Sequence, residues 1–398
     1  MAKKSVSRIQ YVRIKDVFAC LVFIFVLPAA LIAKIFIRDF WLVGEDENEA
    51  RDNGYWFFKW VRENHSEQKI AYVINKKSAD YQKVKNLGKI VNWGGLAHWF
   101  WYLVAKKNIS SQKGCKPNAA ACYLFETKLR LWRNNRYFLQ HGVIKDNLDW
   151  LYYDKCYFKL FCVSAKPEYD YVSANFGYPS GIIECTGLAR FDELHKPHEI
   201  KKQILVMPTW RKYLAHAHGA TTQKDLKNHF TESAFFKKWA EFICDNRLSE
   251  MLAETGYTLL FYPHRNMQKY LNFFKNLPLA SGVSIANPSD LTVQQALMQS
   301  ACLITDYSSV FFDFAYMKKP VIFYQFDEEE FRANQYEKGY FDYHANPIGS
   351  WCGKTDECLN LLKNQLERGC PQNDRTSEFF EIYDDKNCER IYNAVLTH

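Results

Sequence analysis

Residues 300–326 read SACLITDYSSVFFDFAYMKKPVIFYQF, and the order of residue types in this stretch decides the fold class. Cys302–Thr305 is a short apolar run of strand length. Asp306-Tyr307-Ser308-Ser309 then turns the chain, and Val310 to Met317 is an apolar, aromatic run of helical length. Lys318-Lys319-Pro320 ends that helix, since two cations suit its C-terminus and proline cannot continue it. Val321 to Tyr324 is a second buried strand, so the unit is strand, turn, helix, parallel strand. Directly after the first strand, the hydroxyls of Ser308 and Ser309 and several unpaired N–H groups gather at a helix N-terminus, a geometry that holds phosphate. A serine there also caps a helix with no ligand involved, so the pair by itself supports either reading.

The same grammar extends upstream. Gln203–Met207 is a strand that runs into Pro208-Thr209-Trp210-Arg211, Tyr257–Tyr262 one that runs into Pro263-His264-Arg265, and Val283–Ala286 a third. Earlier still, Lys69–Ile74, Lys89–Trp93, Arg136–Gln140, Leu160–Ala165 and Ile182–Thr186 read as strands. Aromatic helices are predicted at Trp56–Val61, opened by the turn-rich ARDNGY of residues 50–55, and at Leu96–Ala105. Short strands alternating with helices predict an α/β protein of two Rossmann-like, doubly wound halves, joined near the polar His195–Glu199.

Composition narrows the function classes. Hydrophobic residues are 48% and charged residues 24% of 398, enough for a sizeable core and incompatible with disorder. A net charge of +8 favours anionic partners: nucleic acid, anionic lipid or a phosphorylated substrate. No helix-turn-helix or RNA-binding aromatic motif is present, which argues against nucleic acid. The 12 cysteines include no C-x-x-C pair, and a zinc site is not predicted. His216 and His218 lie in an exposed-looking loop and are not read as metal ligands. Many scattered thiols suit a reducing, cytosolic catalytic region. Met1 to Lys15 carries Lys3, Lys4, Arg8, Arg13 and Lys15 with no acid, and the apolar run Val17–Ala33, interrupted by Pro28, follows. A signal peptide, a spanning helix and an interfacial anchor compete for this run. Lys34 and Arg38 on its far side favour attachment at the membrane surface, with the bulk of the chain in the cytosol.

The chemical candidates sit at strand C-terminal ends, where open α/β sheets bind ligands. His141 follows a strand and precedes Gly142, which lets a substrate or backbone come close. His264, Arg265 and Arg211 place an imidazole and two guanidinium groups after other strands. Each alone reads as structural. With the 306–309 turn they describe a diphosphate cleft with one imidazole left to take a proton from a hydroxyl. No acidic D-x-D pair offers to hold a metal, so cations and oriented amides would stabilise the leaving phosphate.

ITDYSSVFFDFAYMKKPVIFY, with ARDNGYWFFKW, LQHG, TGLARFD, PTWR and YPHR, resembles the CDP-glycerol glycerophosphotransferase family of teichoic acid primases and polymerases, from about Trp41 to the end. The resemblance implies a glycosyltransferase-B-like pair of domains attached peripherally to the membrane. It also implies transfer of glycerol phosphate from CDP-glycerol to a lipid-linked acceptor, with no cofactor. By position in the motifs it makes His141 the base and His264 a phosphate contact. It places Ser308, Ser309, Arg211, Arg265, Asp306 and Asp313 around the donor. The implied division is a membrane-attachment segment (1–40), an acceptor domain (41–197), a nucleotide-donor domain (198–375) and a C-terminal helix (376–398). Val143 stands where the family has threonine and Ala189 where it has proline, which leaves the acceptor and the transferred alcohol open. Ribitol phosphate or a sugar on another nucleotide, and a non-catalytic assembly partner, are the alternatives.

Overall fold

The computed structural model describes residues 13–215, 228–287 and 291–398. Two parallel sheets face each other. The first holds β1 (Trp41–Gly44), β2 (Ile70–Ile74), β3 (Lys89–Asn92), β4 (Lys107–Ser110), β5 (Arg136–Phe138), β6 (Leu160–Val163) and β7 (Ile183–Cys185), in the order β3-β2-β1-β4-β5-β6-β7. The second holds β8 (Gln203–Met207), β9 (Thr258–Phe261), β10 (Val283–Ile285), β11 (Cys302–Thr305), β12 (Val321–Tyr324) and β13 (Gly349–Cys352), in the order β10-β9-β8-β11-β12-β13. Both are doubly wound α/β sheets, with strand order reversing beside β1 in one lobe and beside β8 in the other. The 302–324 unit forms as its sequence predicts: β11 and β12 pair in parallel, and the helix between them spans Val310–Tyr316.

Three strands escape the sequence reading: β1, β4 and β13. β4 reads Lys-Asn-Ile-Ser and has no apolar run, yet all four residues are buried at the centre of its sheet. The Lys107 ammonium reaches the Val395 carbonyl at the end of the last helix, and Asn108 Oδ1 accepts the Cys115 N–H at 3.0 Å. These bonds let a lysine and an asparagine occupy a strand that water does not reach, although the Asn108 Nδ2 is left without a partner.

The lobes share a core. Val143, Leu188 and Phe191 of the first pack with Phe312, Tyr316 and Phe380, and the Phe191 and Tyr316 rings stack with centroids 4.1 Å apart. The chain finally returns to the first lobe, where Asn387–Thr397 lies on α2 (Asn53–Asn64) and Tyr392 stacks on His65.

The N-terminal apolar run forms one helix, α1 (Ile14–Phe36), continuous through Pro28 and longer than the expected Val17–Ala33. At 23 residues it is long and apolar enough to cross a membrane. Ala19, Phe23, Val26 and Ala30 form its buried stripe, at the three- and four-residue spacing of a single helical face. That stripe packs on Leu96–Val104, with Phe23 stacked on Phe125 and edge-on to Trp99. Phe18, Phe25, Ile32 and Phe36 face outward.

Candidate active site

Three loops of the first lobe converge on His141. After β1, the buried Glu45 carboxylate accepts the N–H groups of Arg51 (2.9 Å), Asp52 (3.0 Å) and Tyr55 (2.6 Å), which fixes the turn into α2. Burial, and the Asp52 charge beside it, push the Glu45 carboxyl up to about 8. Asp52 caps α2 through the Asn53 N–H at 2.8 Å. After β5, Gln140 takes a left-handed conformation (φ 62°) with its side chain fully buried. Its amide donates to the Cys162 carbonyl and to Glu168, and Glu168 also accepts the Ile144 N–H at 2.6 Å. A non-glycine residue held at positive φ beside a reactive group is strain that the surrounding bonds must maintain.

His141 therefore projects from a braced loop. Its Nδ1 bonds to Asp52 Oδ2, while 63% of the side chain remains exposed. The Asp52 charge raises the imidazole above its ordinary value, against burial and the Arg190 cation. Burial works the other way on Asp52, but His141 and Arg190 together keep its carboxyl low. With Nδ1–H donated to the carboxylate, the Nε2 lone pair is the one left to accept a proton.

Arg190 is the centre that sequence reasoning passed over. It lies in the quoted TGLARFD but received no role. The side chain is buried, and its Nη1 donates to Asp52 Oδ1 (2.8 Å) and to the His141 carbonyl (2.9 Å). Its Nε and Nη2 fork onto both carboxylate oxygens of Asp313, on the helix Val310–Tyr316 of the other lobe. The available signal was an arginine beside a strand end in a motif that also holds aspartate.

The structure brings Ser309 to His141. A methyl group at Gly142 would lie 2.9 Å from the Ser309 Oγ, so the two loops touch across the lobes. Ser309 makes no side-chain cap bond, while the Ser308 Oγ accepts the Val310 N–H at a long 3.5 Å. Both are half-buried. The His264 Nδ1 accepts the Asn266 N–H at 3.2 Å, which leaves Nε2 to carry the proton, and the ring lies beside Trp210.

Three expected donor contacts take other roles. Arg211 is fully buried and bonds to Asp327 through two nitrogens (2.9 and 3.0 Å), to Asp306 (2.9 Å) and to the Thr209 carbonyl (2.7 Å). These bonds hold its guanidinium inside the lobe. Asp306 is likewise fully buried, and it ties β8 to β11 by accepting the Thr209 N–H at 2.8 Å. Asp313 gives both oxygens to Arg190. The Arg265 side chain, and His216 and His218, lie outside the described residues.

Known proteins match this chain in sequence and in fold. The Minor teichoic acid biosynthesis protein GgaB of Bacillus subtilis (strain 168) is 31% identical over 364 residues, 89% of this chain and 39% of that protein. The Teichoic acid poly(glycerol phosphate) polymerase of Bacillus spizizenii is 28% identical over 48% of this chain and 47% of its own length. The Teichoic acid ribitol-phosphate polymerase TarL of Staphylococcus aureus is 26% identical over 63% and 42%. The chain thus spans less than half the length of these relatives. Among solved structures, the wall teichoic acid polymerase TagF superposes with TM-score 0.63 at 15% identity, over 97% of this chain and 98% of that one. The UDP-GlcNAc 2-epimerase of Methanocaldococcus jannaschii does so with TM-score 0.53 at 11% identity, over 90% and 99%. These two likenesses establish the glycosyltransferase-B-like fold. The model of the CDP-Glycerol:Poly(glycerophosphate) glycerophosphotransferase family matches residues 38–397, and the chain belongs to that family.

Proposed function

We propose that this chain transfers a polyol phosphate, glycerol phosphate first among the candidates, from its CDP-activated form to a hydroxyl of a lipid-linked acceptor in teichoic acid synthesis. The observation that carries the reading is the exposed His141 imidazole, oriented by Asp52 and set against Ser309 of the opposite lobe. In this reading residues 41–197 present the acceptor and 198–375 hold the donor. His141 Nε2 takes the proton of the acceptor hydroxyl as its oxygen attacks the β-phosphorus. The bond from that phosphorus to the CMP oxygen breaks, and CMP leaves with the electron pair. His264 Nε2–H and the Ser308 and Ser309 hydroxyls donate to the diphosphate as negative charge moves onto CMP. No cofactor is needed for this displacement.

The membrane belongs to the same reading. The outward face of α1 is apolar along its length while its inner face is committed to the lobe, so the helix lies along a cytoplasmic membrane surface. An acceptor anchored in that surface then reaches the cleft without leaving the bilayer.

Purified protein given CDP-glycerol, CDP-ribitol or UDP-sugars, each with a synthetic lipid-linked acceptor, should release CMP from a CDP-polyol and yield an acceptor heavier by one polyol phosphate. His141→Ala should lower that rate by about 10²-fold or more. Release of UMP or UDP instead, or near-normal turnover by His141→Ala, overturns the assignment.

A further inference from the structure

Arg190 stands between two carboxylates that come from different lobes. It holds Asp52 Oδ1 and the His141 carbonyl on one side and forks onto Asp313 on the other. All three charged groups are buried, so their interactions are little screened. A single guanidinium opposite one carboxylate would leave Asp52 neutralised and of little use to His141. Opposite two, it leaves the cluster one negative charge in excess, and the imidazole on Asp52 is where that excess is felt. The remaining titratable groups around the ring are Glu49, whose charge favours the protonated imidazole, and the buried Glu45 behind Asp52, which burial keeps largely neutral near pH 7.

We propose that Asp313, through Arg190, is a positioning residue for the general base: it balances the arginine charge so that Asp52 serves His141, and it does so only when the two lobes are together. This rests on His141 being the base, as proposed above. The geometry supplies the coupling, because Asp313 lies four residues after Ser309 and in the helix that Ser309 opens. The element that presents the diphosphate-facing hydroxyls also completes the charge balance of the base. An open molecule would carry a weaker base and a misplaced serine together, which guards the activated donor against water until the lobes close.

The test uses the full chain and two variants with opposite signs. In protein labelled with ¹⁵N at histidine, the His141 resonance is identified by its loss in His141→Ala and followed through pH. Asp313→Asn should move its titration down by about one pH unit, roughly tenfold in proton affinity. Arg190→Gln should move it up, and Asp313→Glu should leave it near the wild-type position. The acidic limb of kcat/KM should follow the same shifts. A merely structural pair would lower activity in both variants with no movement of the titration. An unmoved titration in Asp313→Asn, or movement of both variants in one direction, overturns the proposal. Should Asp313→Asn fail to fold, the upward shift in Arg190→Gln decides. The resonance requires no turnover, so absence of CMP release by the wild type would sink the function proposed above and leave this inference to the titration.

Discussion

At the scale of single residues, the chemistry depends on which charged groups face water and which are used up. His141 is held above its ordinary value of 6.5, chiefly by the Asp52 charge. A base accepts a proton only when unprotonated, so kcat/KM should fall as pH drops through a value above 6.5, with full activity on the alkaline side. Asp52→Asn removes the charge that raises this value, so the acidic limb should move to lower pH while the plateau drops by about 10²-fold. A pH–rate series on both proteins checks this, and an unmoved limb would remove Asp52 from the mechanism. The linked stability has its own sign. The folded-state value is raised, so the stabilisation from the pair is complete below the unfolded value of about 6.5 and is lost as pH rises through the folded one. Arg211 is the opposite case, a cation spent on Asp306 and Asp327. Arg211→Ala leaves two buried carboxylates without their partner and should cost about 3–5 kcal/mol. Equilibrium unfolding would register that loss, and an unchanged midpoint would show the network to be dispensable.

At the scale of elements, the same principle explains what the sequence reveals. β11, the turn and β12 are legible because apolar runs, a proline stop and two C-terminal cations all point the same way. β4 is not, since its buried lysine finds its partner far away in sequence, at the Val395 carbonyl, and its asparagine binds the loop that follows the strand, at Cys115. Ser309 lies against Gly142, the neighbour of His141, whereas Arg190 has a place only because both lobes share it. Surface elements carry a further signal. Residues 128–133 read Lys-Leu-Arg-Leu-Trp-Arg, with Leu129 51% and Leu131 64% exposed between cations. Lys34 near the end of α1 lies 4.5 Å over the Trp132 ring, so this segment lies beside the end of α1. Exposed leucines alternating with cations suit an anionic bilayer surface. Leu129→Glu with Leu131→Glu should weaken sedimentation with phosphatidylglycerol vesicles about tenfold or more, with turnover on a water-soluble acceptor within twofold of wild type. Equal vesicle binding by the variant would show that residues 128–133 make no contact with the bilayer.

At the scale of the whole molecule, the lobes are held by contacts at more than one point, and the proposed base and the proposed donor-facing serines come from different lobes. Away from His141, Arg332 of the second lobe bonds to Asp146 at 2.6 Å, and Asn147 bridges to Glu337. Gly339 packs against the Lys145–Asp146 backbone beside these contacts. A methyl group there would lie 2.3 Å from the Lys145 carbonyl oxygen and 2.9 Å from the Asp146 Cα. Both obstacles are backbone, so no side-chain rotation relieves them, and one of the two lobes' loops must shift to admit the group, which we expect to part the lobes there. Gly339 lies in the connection between β12 and β13, outside every strand and helix, and near neither His141 nor Ser309 in sequence, so Gly339→Ala should leave each lobe folded. His264, Ser308 and Ser309 all belong to the second lobe, so CDP-glycerol affinity should stay within about threefold while kcat falls at least tenfold. Small-angle scattering should show a larger radius of gyration for the variant. Loss of donor affinity in step with kcat would mean that the donor is gripped by both lobes, and unchanged scattering with unchanged kcat would mean that closure in register is not what aligns His141 with the donor.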